Sequence, residues 1–252
     1  MRKIKTRDLI AVFLRSFFIQ AVWNFKSLTA VGWCFALIPV GKRLFPSRDQ
    51  YRAFLERHLS FFNAHPYFTN YALGIIAHLE ENEVQRDNHE AAKIDKIKNA
   101  LIGPLGLIGD QLFWATIRPA AILFGFSGLV IAESMFYKLL FIPLMLLLYN
   151  IPHLYIRWQG VFEGYRQGPD LIRQINPGKF SPLMNLYGGL GSLVLGLSIG
   201  YIIMRSSTNN LIEIPILLIS MMVAYYLRSK KKLTYLPVFL SLIIALVLGV
   251  VL

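Results

Sequence analysis

The chain has 252 residues, of which 55% are hydrophobic and only 16% are charged, and its mean hydropathy is +0.50. About a quarter of the residues in a soluble domain are usually charged, so this composition excludes an ordinary soluble enzyme and favours a bundle of membrane helices. Lysine and arginine outnumber aspartate and glutamate by 26 to 14, which gives a net charge of +12. In so apolar a chain, we expect these cations in the cytoplasmic loops of a membrane protein rather than on a surface that binds nucleic acid.

The residues with metal-binding or nucleophilic side chains form no recognisable reactive set. Cys34 is the only cysteine, which excludes an intramolecular disulfide, and no group of cysteines and histidines has the spacing of metal ligands. His58 and His65 are seven residues apart and could share a face, but they lack a third ligand. We therefore predict no catalytic residues, no metal site and no cofactor.

The first 26 residues are predicted to form an amphipathic helix on the cytoplasmic surface of the membrane. Arg7 and Arg15 share one helical face, while Leu9 and Phe13 lie on other faces. Arg15 interrupts the apolar run, and no small-residue cleavage site follows, so a signal peptide is not expected. The alternative is a cytoplasmic helix that packs on other protein.

Hydropathy predicts the membrane spans. A helix needs about 20 mostly apolar residues to cross the hydrocarbon core. Five segments approach or exceed that length with at most one charge, and they are 111–132, 139–156, 180–204, 206–227 and 233–252. Two shorter apolar stretches, 27–40 and 67–79, lie beside Pro39 and Pro66, and we expect re-entrant or broken helices there, covered by protein.

The predicted fold class is an all-α integral membrane protein with about five spanning helices, an N-terminal amphipathic helix and re-entrant or broken helices. Within this single functional domain, residues 27–110 hold the broken helices and a charged cytoplasmic loop, and residues 111–252 form the membrane bundle. Arg228 and Lys230 belong to a basic loop before the last span, which places that loop inside the cell. The N-terminus is then cytoplasmic and the C-terminus outside.

Segment 102–119 is the most unusual part of the chain. It has glycines three residues apart, a proline, and two charges that flank a tryptophan; these residues are Gly103, Pro104, Gly106, Gly109, Asp110, Trp114 and Arg118. No Gly-Lys-Ser/Thr ending is present, so a phosphate-binding loop is excluded. We predict a tight turn that leads into a membrane helix, with Asp110 near the helix N-terminus. Arg118 then faces a charged partner or a polar cavity, or it snorkels to the interface.

Small residues recur every four positions in the span at 180–204. They are Gly188, Ser192, Gly196 and Gly200. A stripe of this kind lets a neighbouring helix approach closely in lipid. We predict an interface along it, either with another helix of this chain or with another subunit.

Several stretches together resemble the IID subunit of the mannose-family (mannose/fructose/sorbose) phosphoenolpyruvate:sugar phosphotransferase system. They are LRSFFIQAVWNF (14–25), KRLFP (42–46), RHLSFFNAHP (57–66), GPLGLIGDQLFWATIRP (103–119) and GVFEGYRQGPDLI (160–172). Their order and spacing also fit that family, and the resemblance covers roughly residues 8–175.

The resemblance implies a membrane subunit that pairs with a IIC subunit, as a trimer of heterodimers in the bacterial inner membrane. The pair would carry a hexose-type sugar that the soluble IIA and IIB subunits phosphorylate, so this chain would not be an enzyme by itself. The candidates for a substrate or transport loop are Asn63, His65, Gly103, Pro104, Gly109, Asp110, Trp114 and Arg118. The alternatives are a regulatory or scaffold partner without efficient transport, and an integral-membrane lipid-modifying enzyme.

Overall fold

The computed structural model describes residues 3–86 and 91–206, and this part of the chain is built from helices. The helices are α1 (Thr6–Arg15), α2 (Ala30–Leu44), α3 (Arg48–His58), α4 (Thr69–Arg86), α5 (Ala91–Gly109), α6 (Arg118–Ile131), α7 (Met135–Gln167) and α8 (Pro177–Ser206). A π-helical segment (Asp110–Ile117) joins α5 to α6, and short 3-10 segments follow α1 (Ser16–Phe18) and α7 (Gly168–Arg173). The chain divides into two compact units, residues 1–195 and 196–252, and the second is described only to residue 206.

Within the described residues, three helical stretches are long and apolar enough to cross a membrane, and they are Ala92–Ile131, Met135–Arg173 and Pro177–Tyr201. They contain most of the predicted spans 111–132, 139–156 and 180–204. The predicted spans 206–227 and 233–252 lie outside the described residues, apart from residue 206. The all-α membrane class is therefore confirmed, while the number of spans stays a prediction.

The turn predicted within 102–110 is wrong, because α5 runs through this segment without a break. Leu101, Leu105 and Ile108 recur at helical spacing and are buried, so the helix gains a continuous apolar face. A glycine in a helix costs only about 1 kcal/mol relative to alanine, which burial of this face outweighs. The glycines and the proline of this segment were therefore weaker evidence for a turn than the sequence analysis assumed.

The charged loop predicted near residues 80–98 is helical over most of its described length, since α4 continues to Arg86 and α5 begins at Ala91. Glu80 is 1% exposed, Arg57 donates three hydrogen bonds to its carboxylate at 2.8, 2.9 and 3.1 Å, and His58 Nε2 lies 2.8 Å from it. Lys98 is also buried, and its Nζ donates to the Ser60 hydroxyl at 2.7 Å. Paired charges of this kind tolerate burial, whereas the sequence pattern alone indicated a solvated loop.

The two short apolar stretches form α2 and the first part of α4, and protein covers both. Trp33 of α2 is fully buried and stacks on Phe62, with 4.0 Å between the ring centroids. Protein therefore covers these backbones, which is the condition for the re-entrant or broken helices predicted here. Whether either helix enters the membrane stays a prediction.

Helices α4 and α7 cross with their backbones in contact, and this crossing holds the first unit together. A Cβ atom at Gly74 would lie 2.3 Å from the Val161 carbonyl oxygen, and one at Gly164 would lie 2.5 Å from that of Tyr71. Only glycine fits at such distances, so these positions fix how closely the two helices approach. Three of the buried polar residues described below, Asn70, His153 and Arg157, lie on these same two helices.

Helix α1 is shorter than the predicted 26-residue segment. Leu9 and Val12 are buried against the protein, and Asp8 accepts a hydrogen bond of 2.8 Å from Arg43 of α2. Ile10 and Leu14 are exposed. One face of α1 thus packs on protein, as the alternative interpretation proposed, while its position on a membrane surface stays a prediction.

Candidate functional site

His65 and Gly109 are two of the predicted site residues that the structure brings into contact. His65 lies in the connection between α3 and α4, and its side chain is 3% exposed. The imidazole stacks on Phe113, with ring centroids 5.4 Å apart, and meets the edge of Trp114 at 5.8 Å. A Cβ at Gly109 would lie 2.3 Å from the Cβ of His65, so glycine is required where α5 passes this ring.

The π-helical segment follows this contact and ends just before Pro119. Proline has no N–H to continue the regular helical bonding, and a π-helical turn is one way for a helix to accommodate such a break. Within the segment, Thr116 Oγ1 donates a hydrogen bond of 2.8 Å to the Gln111 carbonyl. Asp110, Trp114 and Arg118 are exposed along this stretch, and the Arg118 guanidinium lies 4.9 Å from the Trp114 ring centroid.

Asp110 does not cap a helix N-terminus as predicted. Because α5 precedes it directly, the backbone N–H groups that follow are part of a continuous helix. Its carboxylate forms no ion pair or hydrogen bond with any other described residue. A carboxylate in an apolar span is costly unless water or protein surrounds it, so this residue points to a polar environment beyond the described residues.

The remaining loop candidates are not gathered at His65. Asn63 is exposed in the connection before His65. Gly103 and Pro104 are also exposed, and Gly103 lies about 9 Å along the helix axis before Gly109. A Cβ at Gly103 would meet no atom within 4 Å in the described part of the chain.

A buried polar cluster that the sequence analysis missed centres on Arg157, which is 4% exposed in α7. Its guanidinium donates to His153 Nε2 at 2.9 Å and to the Ser16 carbonyl at 2.8 Å. The Asn70 amide of α4 donates to the Arg157 carbonyl at 2.9 Å and to Ser16 Oγ at 3.0 Å. These bonds join the N-terminal 3-10 segment, α4 and α7.

Tyr67 connects this cluster to the surface of α7. The Arg157 guanidinium lies 4.9 Å from the Tyr67 ring centroid, and the His153 ring lies 4.0 Å from the same ring. The Tyr67 and Tyr149 hydroxyl oxygens are 2.6 Å apart and share a hydrogen bond. Because Tyr67 also contacts His65, with 4.9 Å between centroids, the cluster adjoins the predicted site.

Three buried histidine nitrogens have no partner among the described residues, and two of them, on His65 and His153, lie at this cluster. His65 Nδ1 accepts from the Tyr67 N–H at 3.3 Å, so its proton is on Nε2, which is buried and unpaired. His153 Nε2 accepts from Arg157, which leaves Nδ1 as the second such donor. An unpaired buried donor costs about 1–3 kcal/mol, so burial of these two rings is energetically unfavourable in itself and depends on the packing around them.

His65 is neutral at physiological pH. Burial lowers the pKa of its imidazole from 6.5 to about 3, and the positive charge of Arg157 acts in the same direction. Among the described residues, no group of three or more His, Cys, Asp and Glu side chains is placed to bind a metal ion.

The small-residue stripe lies on an exposed face of α8. Gly188, Ser192, Gly196 and Gly200 are all exposed. Within the described part of the first unit, a Cβ at Gly188 would meet nothing within 4 Å, whereas one at Gly191 would lie 3.3 Å from the Ala120 Cβ of α6. The contact of α8 with α6 therefore uses Gly191 and leaves Gly188 uncovered.

Comparison with known proteins identifies relatives over the whole chain. A family model described as "PTS system mannose/fructose/sorbose family IID component" matches residues 3–252. The mannose-specific EIID component of Escherichia coli K12 is 35% identical over 196 residues, which cover 77% of this chain and 68% of that protein. The sorbose-specific EIID component of Klebsiella pneumoniae is 32% identical and the fructose permease IID component of Bacillus subtilis 29% identical, each over 77% of this chain and 69% of the relative.

Solved membrane-protein structures are also similar to this chain. A chain from the cryo-EM structure of the mannose transporter ManYZ in complex with microcin E492 is 28% identical, with a TM-score of 0.60. The alignment covers 100% of this chain and 98% of that one. A second structure, described as that of a membrane protein, has a TM-score of 0.71 at 27% identity and covers 99% and 98% of the two chains.

Proposed function

We propose that this chain, which belongs to the mannose/fructose/sorbose family of phosphotransferase IID components, pairs with a IIC subunit to carry a hexose-type sugar across the bacterial inner membrane. The resemblance found in the sequence is thus confirmed at the level of the family. The relatives are named for mannose, sorbose and fructose systems, which supports a hexose-type substrate. The ManYZ relative is a mannose transporter, which supports partnership with a second membrane subunit.

The rest of the assembly is proposed on the same basis. A trimer of IIC and IID heterodimers is served by soluble IIA and IIB subunits, which transfer phosphate to the sugar. This chain then contributes no catalytic residue of its own. Its N-terminus is cytoplasmic and its C-terminus outside, as the distribution of basic residues indicates.

At the level of single residues, the proposal rests mainly on the environment of Asp110. Its carboxylate is exposed on a candidate span and has no partner among the described residues. A subunit interface or a water-filled path would supply the polar surroundings that a charge at this depth needs. The contact with His65 fixes the position of Gly109. It therefore also fixes the start of the π-helical segment, to which Asp110 belongs.

The other candidates take supporting roles in this proposal. Trp114 and Arg118 follow Asp110 on the same exposed stretch, while His65 and Gly109 position the segment. Gly103 and Pro104 are exposed earlier in α5, and Asn63 is exposed in the connection between α3 and α4. The exposed small residues of α8 are the proposed contact with a neighbouring subunit, and they are Gly188, Ser192, Gly196 and Gly200.

The test is sugar uptake by cells that co-express this chain with a IIC subunit and the soluble phosphocarriers. Asp110→Ala is expected to abolish uptake of labelled sugar while the variant still copurifies with IIC. The control is Glu133→Ala, which removes another exposed carboxylate at the α6–α7 turn and is expected to leave uptake intact. Normal uptake by Asp110→Ala would remove this segment from the mechanism.

A further inference from the structure

A cavity of about 290 Å³ lies between α6 and α7. Its walls are mostly apolar, and its lining residues are Arg118, Ala121, Ile122, Met145, Leu146 and Tyr149. Both helices belong to stretches long and apolar enough to span a membrane. Ile122 and Leu146 are about half exposed, so the cavity opens onto a surface that lipid chains would surround.

Arg118 brings a positive charge to one end of this apolar cavity. No described carboxylate forms an ion pair with Arg118. Its guanidinium carbon lies over the Trp114 ring, 4.9 Å from the ring centroid. Stacking occupies the face of the guanidinium and leaves its edge N–H groups free to donate. Such a planar fork matches the oxygens of a phosphate, so the complementary ligand is anionic.

Tyr149 supplies a second polar group at the same site. Its hydroxyl oxygen lies 2.6 Å from that of Tyr67, and one hydrogen lies between the two oxygens. The hydrogen of the other hydroxyl can then be donated to a further acceptor. When Tyr67 donates to Tyr149, the Tyr149 hydroxyl points its own hydrogen toward a ligand in the cavity.

The depth of Arg118 suits a lipid headgroup. The charged turn between α6 and α7 carries Glu133 and marks one membrane interface. Arg118 lies 13 residues before the end of α6 at Ile131, which is about 20 Å along the helix. The hydrocarbon core is about 30 Å thick, so Arg118 lies about 10 Å from the opposite interface. Snorkelling directs the guanidinium toward that interface and shortens its distance to a headgroup phosphate.

We propose that this cavity binds a phospholipid with an anionic headgroup, whose phosphate contacts Arg118 and Tyr149. One acyl chain lies against Ile122 and Leu146. The charge of Arg118, the apolar walls and the depth favour this occupant over a helix of a partner subunit. The proposal requires only that α6 and α7 span a membrane, and it does not depend on which sugar is carried.

The test uses the purified full chain in vesicles of phosphatidylcholine with increasing fractions of phosphatidylglycerol whose acyl chains are brominated. Bromine quenches a nearby tryptophan, and the signal of Trp114 is obtained as the difference between the chain and its Trp114→Phe variant. Brominated phosphatidylcholine with the same chains is the reference lipid. We expect brominated phosphatidylglycerol to quench Trp114 at a mole fraction about tenfold lower than brominated phosphatidylcholine does. A tenfold ratio corresponds to the free energy of about one charge-assisted hydrogen bond.

Arg118→Gln is expected to remove this preference, and Arg118→Lys, which keeps the charge, is expected to retain part of it. Lys138→Gln neutralises a cation at the other end of the α6–α7 hairpin and should leave the preference unchanged. Equal quenching by the two lipids in the unaltered chain would overturn the proposal. So would an unchanged preference in Arg118→Gln, or the absence of quenching by either lipid, which would show that protein covers the cavity.

Discussion

At Gly109, the lack of a side chain decides how closely the π-helical segment approaches His65. A Cβ there would lie 2.3 Å from the His65 Cβ, a distance that real atoms do not adopt. Either the ring or the helix must then move. The His65 ring packs against Phe113 and Trp114, so a movement of the ring would also displace these two side chains.

Gly109→Ala is therefore expected to lower the free energy of unfolding by about 1–3 kcal/mol. The control is Gly106→Ala in the same helix, where a Cβ would meet no described atom and the gain in helix propensity is up to about 1 kcal/mol. Thermal unfolding in detergent measures both. Equal effects of the two substitutions would contradict the contact between Gly109 and His65.

His65 also predicts a pH dependence of stability. Burial lowers the pKa of its imidazole from 6.5 to about 3, so the unfolded chain binds a proton that the folded chain does not. The contribution of His65 to stability is complete above pH 6.5 and is lost as the pH falls toward 3, by up to about 1.4 kcal/mol per pH unit.

The measurement is the melting temperature at about pH 7 and about pH 5, for the unaltered chain and for His65→Gln. The variant cannot titrate at this position, so its loss on acidification is expected to be smaller. The same loss in both proteins would show that His65 is not held neutral by burial.

At the scale of the elements, Arg157 determines how the N-terminal segment is attached. It connects Ser16, 141 residues away in the sequence, to α7, and Asn70 of α4 bonds to both residues. A network of hydrogen bonds, charge-assisted where the Arg157 guanidinium donates, holds these three elements in one arrangement.

Arg157→Lys keeps the charge but loses the planar fork, so we expect a loss of at least about 2 kcal/mol and faster proteolysis near residues 16–29. Arg166→Lys is the matched control, because that arginine is exposed on the same helix. Limited proteolysis and thermal unfolding read out both effects. Unchanged cleavage of Arg157→Lys would contradict the role of this network.

Hydropathy predicted the apolar helices, because the length and composition of a span are local properties. The turn at 102–110 was predicted wrongly, since glycine and proline also occur in helices whose opposite face is buried. The Arg157 cluster was missed because its partners are far apart in sequence. Asn70 within an apolar stretch and Arg157 at the end of another were the signals that could have indicated it.

At the scale of the whole molecule, α8 carries one small residue that packs within the chain and others that we propose contact another subunit. Gly191 faces Ala120 of α6, whereas Gly188 meets no described atom. Gly188→Leu is expected to leave the melting temperature of the isolated chain unchanged and to reduce copurification of the IIC subunit. Gly191→Leu should instead lower the melting temperature, and the opposite pattern would assign the stripe to internal packing.

Membership of the IID family makes partnership with IIC the central claim of this account. The most direct test is purification of this chain from native membranes in a mild detergent, followed by determination of the mass of the complex. We predict recovery of a second hydrophobic subunit in equal amount, with a mass that fits an assembly of heterodimers. A stable, monodisperse chain without a partner would contradict the claim.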